Sequence, residues 1–269
     1  GDVVSLTATK TGYVCTVAGS PITMSAANIT TAHVTCIENG YVLGVFNPDG
    51  ATVSIIGTTQ SNAPSAASNI TFNTTYGNTG VAVSGSKSGY TCLVGGTTIP
   101  SPIVGNISGV TVSCTKNTYS LSVSNPSGAL GSISGTTQAN AASTATSITF
   151  NTTYGNTGVT VVASKAGYTC TVGGTTIPSP IADNVVGVSV NCVINTYTLG
   201  VTNPDGAAVS ISGTTQTNAV STASSIVFNT TYGNTGVAVS ASKAGYTCAV
   251  GGTSVPSTIT DNVSGVTVS

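Results

Sequence analysis

From Tyr197 to Gly206 the chain reads YTLGVTNPDG, and from Ile226 to Gly236 it reads IVFNTTYGNTG. In the first stretch Tyr197, Leu199 and Val201 alternate with small or polar residues, a period of two that places them on one face of a β-strand. Asn203-Pro204-Asp205-Gly206 then supplies a turn, in which proline presets φ and glycine accepts a positive one. Val209 and Ile211 share a face of the next strand, and Ile226 and Phe228 a face of the one after. A second turn, Tyr232-Gly233-Asn234-Thr235-Gly236, leads to Val237 and Val239, then to Tyr246, Cys248 and Val250 behind Gly245, and finally to Val266 and Val268. About six or seven short strands, with turns every 8 to 12 residues or so and no helical period, predict an all-β fold of the antiparallel β-sandwich kind.

The segment is written three times. Tyr41, Tyr119 and Tyr197 recur every 78 residues, each opening a run that passes through F-N-T-T-Y-G-N-T-G to G-Y-T-C. Self-similarity at such a period marks an array of small modules. The expected organisation is a second-half module over 1–40, modules over 41–117 and 118–195, and a module over 196–269 that stops before its closing cysteine. Half-modules at both ends suit a polymer, a stalk or a stretch of a longer array. The face carrying Val4, Leu6 and Tyr13 is expected to be covered by β-structure from outside residues 1–40.

Composition points the same way. Charged residues are 4 % of the 269, with five Lys and six Asp plus Glu, and the net charge is −1. An ordinary soluble domain carries roughly a quarter charged residues. So little positive charge gives no electrostatic case for nucleic acid or an anionic membrane as partner. A surface poor in like-charge repulsion packs readily against copies of itself, which makes a homopolymer or longer array of the same repeat the expected partner. The 39 % hydrophobic content, regularly alternating, argues against disorder. No apolar run approaches the ~20 residues that span a bilayer, and if the protein is secreted its targeting segment is expected upstream of Gly1 or already removed.

Modules of this size have marginal cores, and cysteines supply what the core lacks. Tyr90, Cys92 and Val94 alternate on one face, as do Val110, Val112 and Cys114, so both sulfurs point inward. The expected disulfides are Cys92–Cys114 and Cys170–Cys192, each 22 apart, and Cys15–Cys36, 21 apart, one per module. Each is worth about 3 kcal/mol on a chain-entropy estimate. Cys248 is left unpaired. With no C-x-x-C and one histidine, a zinc site is not expected. Disulfides imply an oxidising compartment, outside the cell or on its surface.

The pattern Y-x-L-x-V…N-P-D-G…G-Y-T-C-x-V…V-x-G-V-T-V-S-C resembles the tandem Ig-like β-sandwich repeats of bacterial cell-surface and secreted proteins, over essentially the whole chain. The resemblance implies small Ig-like modules of about 78 residues, built into adhesin stalks or the subunits of extracellular fibres.

Other residues invite sharper readings. Lys10, Lys87, Lys165 and Lys243 recur ahead of a Gly-Tyr, and Asn73, Asn151 and Asn229 recur in F-N-T-T-Y. A lysine–asparagine isopeptide bond needs a neighbouring acid, but Ser127 stands where the sister copies have Asp49 and Asp205, so a solvated lysine beside a tight turn is expected. His33 should face outward between Ala32 and the inward Val34 and Cys36, with no partner for catalysis. The aspartates lack the D-x-D-x-D spacing of a calcium loop. Sequons at Asn28, Asn69, Asn73, Asn106, Asn151, Asn229 and Asn262 are candidate glycosylation sites, although a chain rich in Asn, Ser and Thr produces such triplets by composition alone. The reading is a structural protein without catalytic residues, cofactor or metal, forming an extracellular filament or stalk. The alternative is an adhesin whose loops hold carbohydrate or another surface. An adhesin should carry a divergent module with exposed aromatics, whereas aromatics are 5 % of this chain and most are tyrosines at repeating positions.

Overall fold

The computed structural model describes residues 1–25 and 32–269. Every regular element among them is a β-strand. The chain divides into two compact units, Gly1–Asn117 and Thr118–Ser269.

The first unit opens with β1 (Val3–Val4), β2 (Tyr13–Ala18), β3 (Ile22–Thr23) and β4 (His33–Glu38). It continues with a full copy made of β5 (Gly40–Phe46), β6 (Thr52–Ile56), β7 (Asn69–Thr75), β8 (Ala82–Ser86), β9 (Tyr90–Gly96) and β10 (Ile107–Lys116). The second unit repeats that plan twice. Its strands are β11 (Thr118–Ser124), β12 (Leu130–Ser134), β13 (Ser147–Thr153), β14 (Thr160–Ser164), β15 (Tyr168–Gly174) and β16 (Val185–Ile194), then β17 (Thr196–Thr202), β18 (Ala208–Ser212), β19 (Ser225–Thr231), β20 (Ala238–Ser242), β21 (Val250–Gly252) and β22 (Val263–Val268).

Each full copy pairs its strands the same way. In the 41–117 copy one sheet has the order β7-β5-β10-β9, and β6 pairs with β8 in a second, two-stranded sheet. β7 lies antiparallel to β5, with Leu43 opposite Phe72 and Val45 opposite Ile70. β10 lies parallel to β5, with Val110 opposite Val45 and a bulge between Ile107 and Val110. The larger sheet is therefore mixed, which corrects the expectation of purely antiparallel strands. Alternation of side chains reveals that a segment is a strand and which residues share its face, but not the strand it pairs with.

The alternating residues build one core per copy. Leu43, Val53, Ile103, Val110 and Val112 are fully buried, with Phe72 beside them. Leu121, Phe150 and Ile181 occupy the same places in the next copy, and Leu199, Phe228 and Ile259 in the last. At one core position a side chain is missing: Gly131 stands where Val53 and Val209 are fully buried, and the end of the Ile148 side chain reaches into the space.

Two expectations fail near the ends. Tyr246 and Cys248 belong to no strand, and Tyr246 is exposed, whereas β9 and β15 both begin at the matching tyrosine. In β9 those residues pair with Cys114, Thr115 and Lys116. In the opening segment Val34 does not face a core and is 59 % exposed, while Val4 and Leu6, at 40 % and 41 % exposed, are only partly covered by the described residues. Among the described residues there, β1 and β3 form a two-residue ladder and β2 pairs with β4.

Candidate functional site

The cysteines sit on facing strands. Cys92 of β9 lies directly opposite Cys114 of β10, Cys170 of β15 opposite Cys192 of β16, and Cys15 of β2 opposite Cys36 of β4. The pairs are bonded, with sulfurs 2.05, 2.08 and 2.09 Å apart respectively. Period-two alternation puts each member on the same face as its neighbouring valines. Cys92, Cys114, Cys170 and Cys192 accordingly pack against the cores. Cys248 is a free thiol, half-buried against the last core.

A polar bracket closes over the disulfide strands. The Lys165 ammonium donates to the Ser127 carbonyl at 2.6 Å and stands 4.5 Å from the centre of the Tyr168 ring. Lys87 likewise donates to the Asp49 carbonyl beside Tyr90, and Lys243 to the Asp205 carbonyl beside Tyr246. In the opening segment Lys10 lies 3.5 Å over the Tyr13 ring. The lysine thus ties the N-P-D-G turn to the K-x-G-Y turn and is half-buried in the three full copies, which revises the expectation of a solvated side chain. The Asp49 carboxylate accepts the Cys114 N–H at 2.8 Å, and the Ser127 hydroxyl accepts the Cys192 N–H at 3.4 Å. The position that differs between copies therefore serves the closing strand in both.

Three further asparagines per copy have structural tasks that reading the sequence missed. Asn47, Asn125 and Asn203 are fully buried. The Asn125 amide donates to the carbonyls of Ala129 at 2.8 Å and Ala145 at 2.9 Å, and its oxygen accepts the Ala129 N–H at 3.1 Å. Asn156 accepts the Thr153 N–H at 2.8 Å, fixing the Y-G-N turn to the end of β13. Asn140 pairs with the main chain of Asn151, accepting its N–H at 2.7 Å and donating to its carbonyl at 2.9 Å. Asn62 and Asn218 do the same for Asn73 and Asn229. In this way a side chain occupies the outer edge of β7, β13 and β19. The same connecting segment also bridges the outer edge of the small sheet, where Ser65, Ser143 and Ser221 pair with Val53, Gly131 and Val209.

The sequons fall into two groups. Asn69, Asn73, Asn151 and Asn229 are exposed on the edge strands, but Thr75, Thr153 and Thr231, the third residues of the last three triplets, are buried. Asn106 and Asn262 are exposed, and their side-chain oxygens accept the N–H of Val42 and of Thr198, both at 2.9 Å. Asn184 makes the same bond to Ser120 at 2.8 Å without belonging to a sequon, which assigns that position to sheet closure. Asn28 lies outside the described residues.

Among the described residues no three His, Cys, Asp or Glu gather where a metal ion could be held. His33 is exposed on β4 opposite Ala18. An open hollow of the 41–117 copy is lined by Gly50, Thr52, Gly85, Lys87 and Tyr90, among others. The structure has no helix long and apolar enough to cross a membrane among the described residues.

No protein-family model matches the chain, and no curated protein does. Among solved structures it is similar to the Bacillus anthracis TIE protein, at 12 % identity and a TM-score of 0.43 over 88 % of this chain. The chain spans about half of that structure, 52 % of its length.

Proposed function

We propose that the chain is a structural segment of an extracellular filament, fimbria-like fibre or cell-surface stalk, built from tandem Ig-like β-sandwich modules of the 78-residue period and without catalytic activity. The observation that carries this reading is that the full copies repeat one core, one polar bracket and one set of buried asparagines. An enzyme concentrates its reactive groups in one place, whereas this chain distributes the same stabilising devices along its length. Three disulfides fit an oxidising compartment. Copies of the same repeat are the natural partners of so uncharged a surface, with glycans as candidate additions at the exposed sequons.

Negative-stain imaging of the native material tests this. Fibres or long stalks with a regular repeat are expected, and discrete compact particles would refute it. The adhesin reading has one observation in its favour, the Lys87–Tyr90 hollow, whose polar walls and ring suit a sugar. Glycan-array binding lost in Tyr90→Ala would move the assignment to that reading.

A further inference from the structure

Consecutive copies are joined by a single residue between strands. Asn39 separates β4 from β5, and Asn195 separates β16 from β17. The Asn195 N–H donates to the Gly167 carbonyl at 2.9 Å, and the Asn195 carbonyl accepts the Tyr232 N–H at 2.9 Å. Asn39 makes the same two bonds, to Gly12 and from Tyr76, at the same distances. Gly12 and Gly167 belong to the K-x-G-Y turn of one copy, and Tyr76 and Tyr232 to the Y-G-N turn of the next.

The tyrosine ring lies against the glycine. A Cβ on Gly167 would stand 1.9 Å from Cδ1 of Tyr232, and one on Gly12 would stand 2.1 Å from Cδ1 of Tyr76. Both glycines have left-handed φ, +73° and +77°. That conformation alone favours glycine, but Gly245, in the same turn of the last copy with φ +77°, has nothing within 4 Å of its Cβ position. The closeness of the ring is thus a property of the joint and not of the turn.

We infer that the K-x-G-Y turn is a socket for the tyrosine of the following copy, and that within each unit socket, ring and linking asparagine form a stiff joint that couples one copy to the next. The lysine bracket serves it indirectly, because it holds the turn that forms the socket. Three constraints act on one short connection: two main-chain bonds and a ring seated on bare backbone. A one-residue connection leaves little slack, so opening the joint requires all three to be lost together. Such a joint would couple consecutive copies whether or not the chain works as a filament.

Hydrogen exchange, read amide by amide on the full chain by NMR, tests the joint. Tyr232→Ala removes the ring without touching any φ, and is expected to speed exchange of the Asn195 and Tyr232-position amides at least about tenfold, as local openings do. Amides of the β17–β19 ladder should stay within about twofold of the parent chain. Gly167→Ala should do the same, while Gly245→Ala, equally strained in φ, should leave the Asn195 amide unchanged. In the doubly substituted chain the clash at 167 is gone and only the strain in φ remains, so Gly167→Ala should accelerate exchange less on top of Tyr232→Ala than it does in the parent chain. If Tyr232→Ala leaves the Asn195 amide within about twofold of its original rate, there is no coupling joint. If the acceleration spreads equally through β17 and β19, the ring belongs to the core of its own copy and the inference falls.

Discussion

Asn125→Ala should cost the 118–195 copy about 2 to 6 kcal/mol, because it leaves the N–H and C=O of Ala129 without partners and each buried orphan costs about 1 to 3 kcal/mol. Ala129 is fully buried and water does not reach it, whereas Ala145, which loses the third bond, is exposed and rehydrates. At about 0.05 to 0.15 kcal/mol per residue, a stretch as long as one repeat has a total stability of only about 4 to 12 kcal/mol. The loss should therefore open this copy and leave its neighbours protected. Hydrogen exchange by mass spectrometry, with peptides from each copy, is the suitable assay, since an array need not unfold in one transition. Asn125→Asp sharpens the test. The carboxylate keeps the acceptor for the Ala129 N–H but turns an anionic oxygen toward two carbonyls that the amide used to satisfy. Burial and those carbonyls raise its folded pKa above the unfolded value of about 3.9. Native protein then holds the proton where unfolded protein has lost it, so this variant should be most stable below about pH 4 and lose stability as pH rises through the folded pKa. A change below about 0.5 kcal/mol in Asn125→Ala, a size ordinary for surface positions, would refute the assignment of this side chain as a buried hub. So would an Asp variant more stable at neutral pH than in acid.

Replacing Cys170 and Cys192 together by serine should cost the same copy about 3 kcal/mol, the chain-entropy value for a loop of this order; non-reducing peptide mapping should recover Cys15–Cys36, Cys92–Cys114 and Cys170–Cys192 and no pairing between copies. Gly131→Ala should stabilise its copy by about 1 kcal/mol, combining reduced chain entropy with a buried methyl, provided the Ile148 terminus turns aside from a Cβ 2.8 Å away; a lower denaturation midpoint would show that it does not. Asn140→Ala should bare the β13 edge at Asn151, raise exchange of the Asn151 amide about tenfold or more and increase light scattering on storage, because unpaired edges recruit other strands; unchanged exchange at that amide would show that the edge is protected by something else.

The strands were legible because their cause is local. Alternation at Tyr197, Leu199 and Val201 foretold β17, that at Val209 and Ile211 foretold β18, and that at Ile226 and Phe228 foretold β19. The cysteine pairs were legible for the same reason, since inward-facing sulfurs on neighbouring strands have few other places to go. Asn125 was not. Its side chain is polar and sits beside Pro126 in a turn signal, so composition places it in a solvated loop, and its burial appears only when the segment around Ala145 folds across it. The lysines misled in the same way, because the carbonyl each one reaches lies 38 positions away in the chain.

The parallel pairing of β5 with β10 also lay beyond a periodicity argument, and it carries the consequence that matters most for an array. β5 opens a copy and β10 closes it, and the two run in the same direction side by side. β10 continues past Thr111, its last pairing with β5, as far as Lys116. At about 3.3 Å per residue that carries the chain roughly 16 Å beyond the end of β5. A chain that enters at one end of a sheet therefore leaves at the other, and within the second unit β16 and β17 meet across a single asparagine. Had the first and last strands run antiparallel, entry and exit would share one end, and a one-residue connection would force each copy back against its predecessor. The mixed sheet is what allows the 118–195 copy of the second unit to hand on to the next through so short a joint.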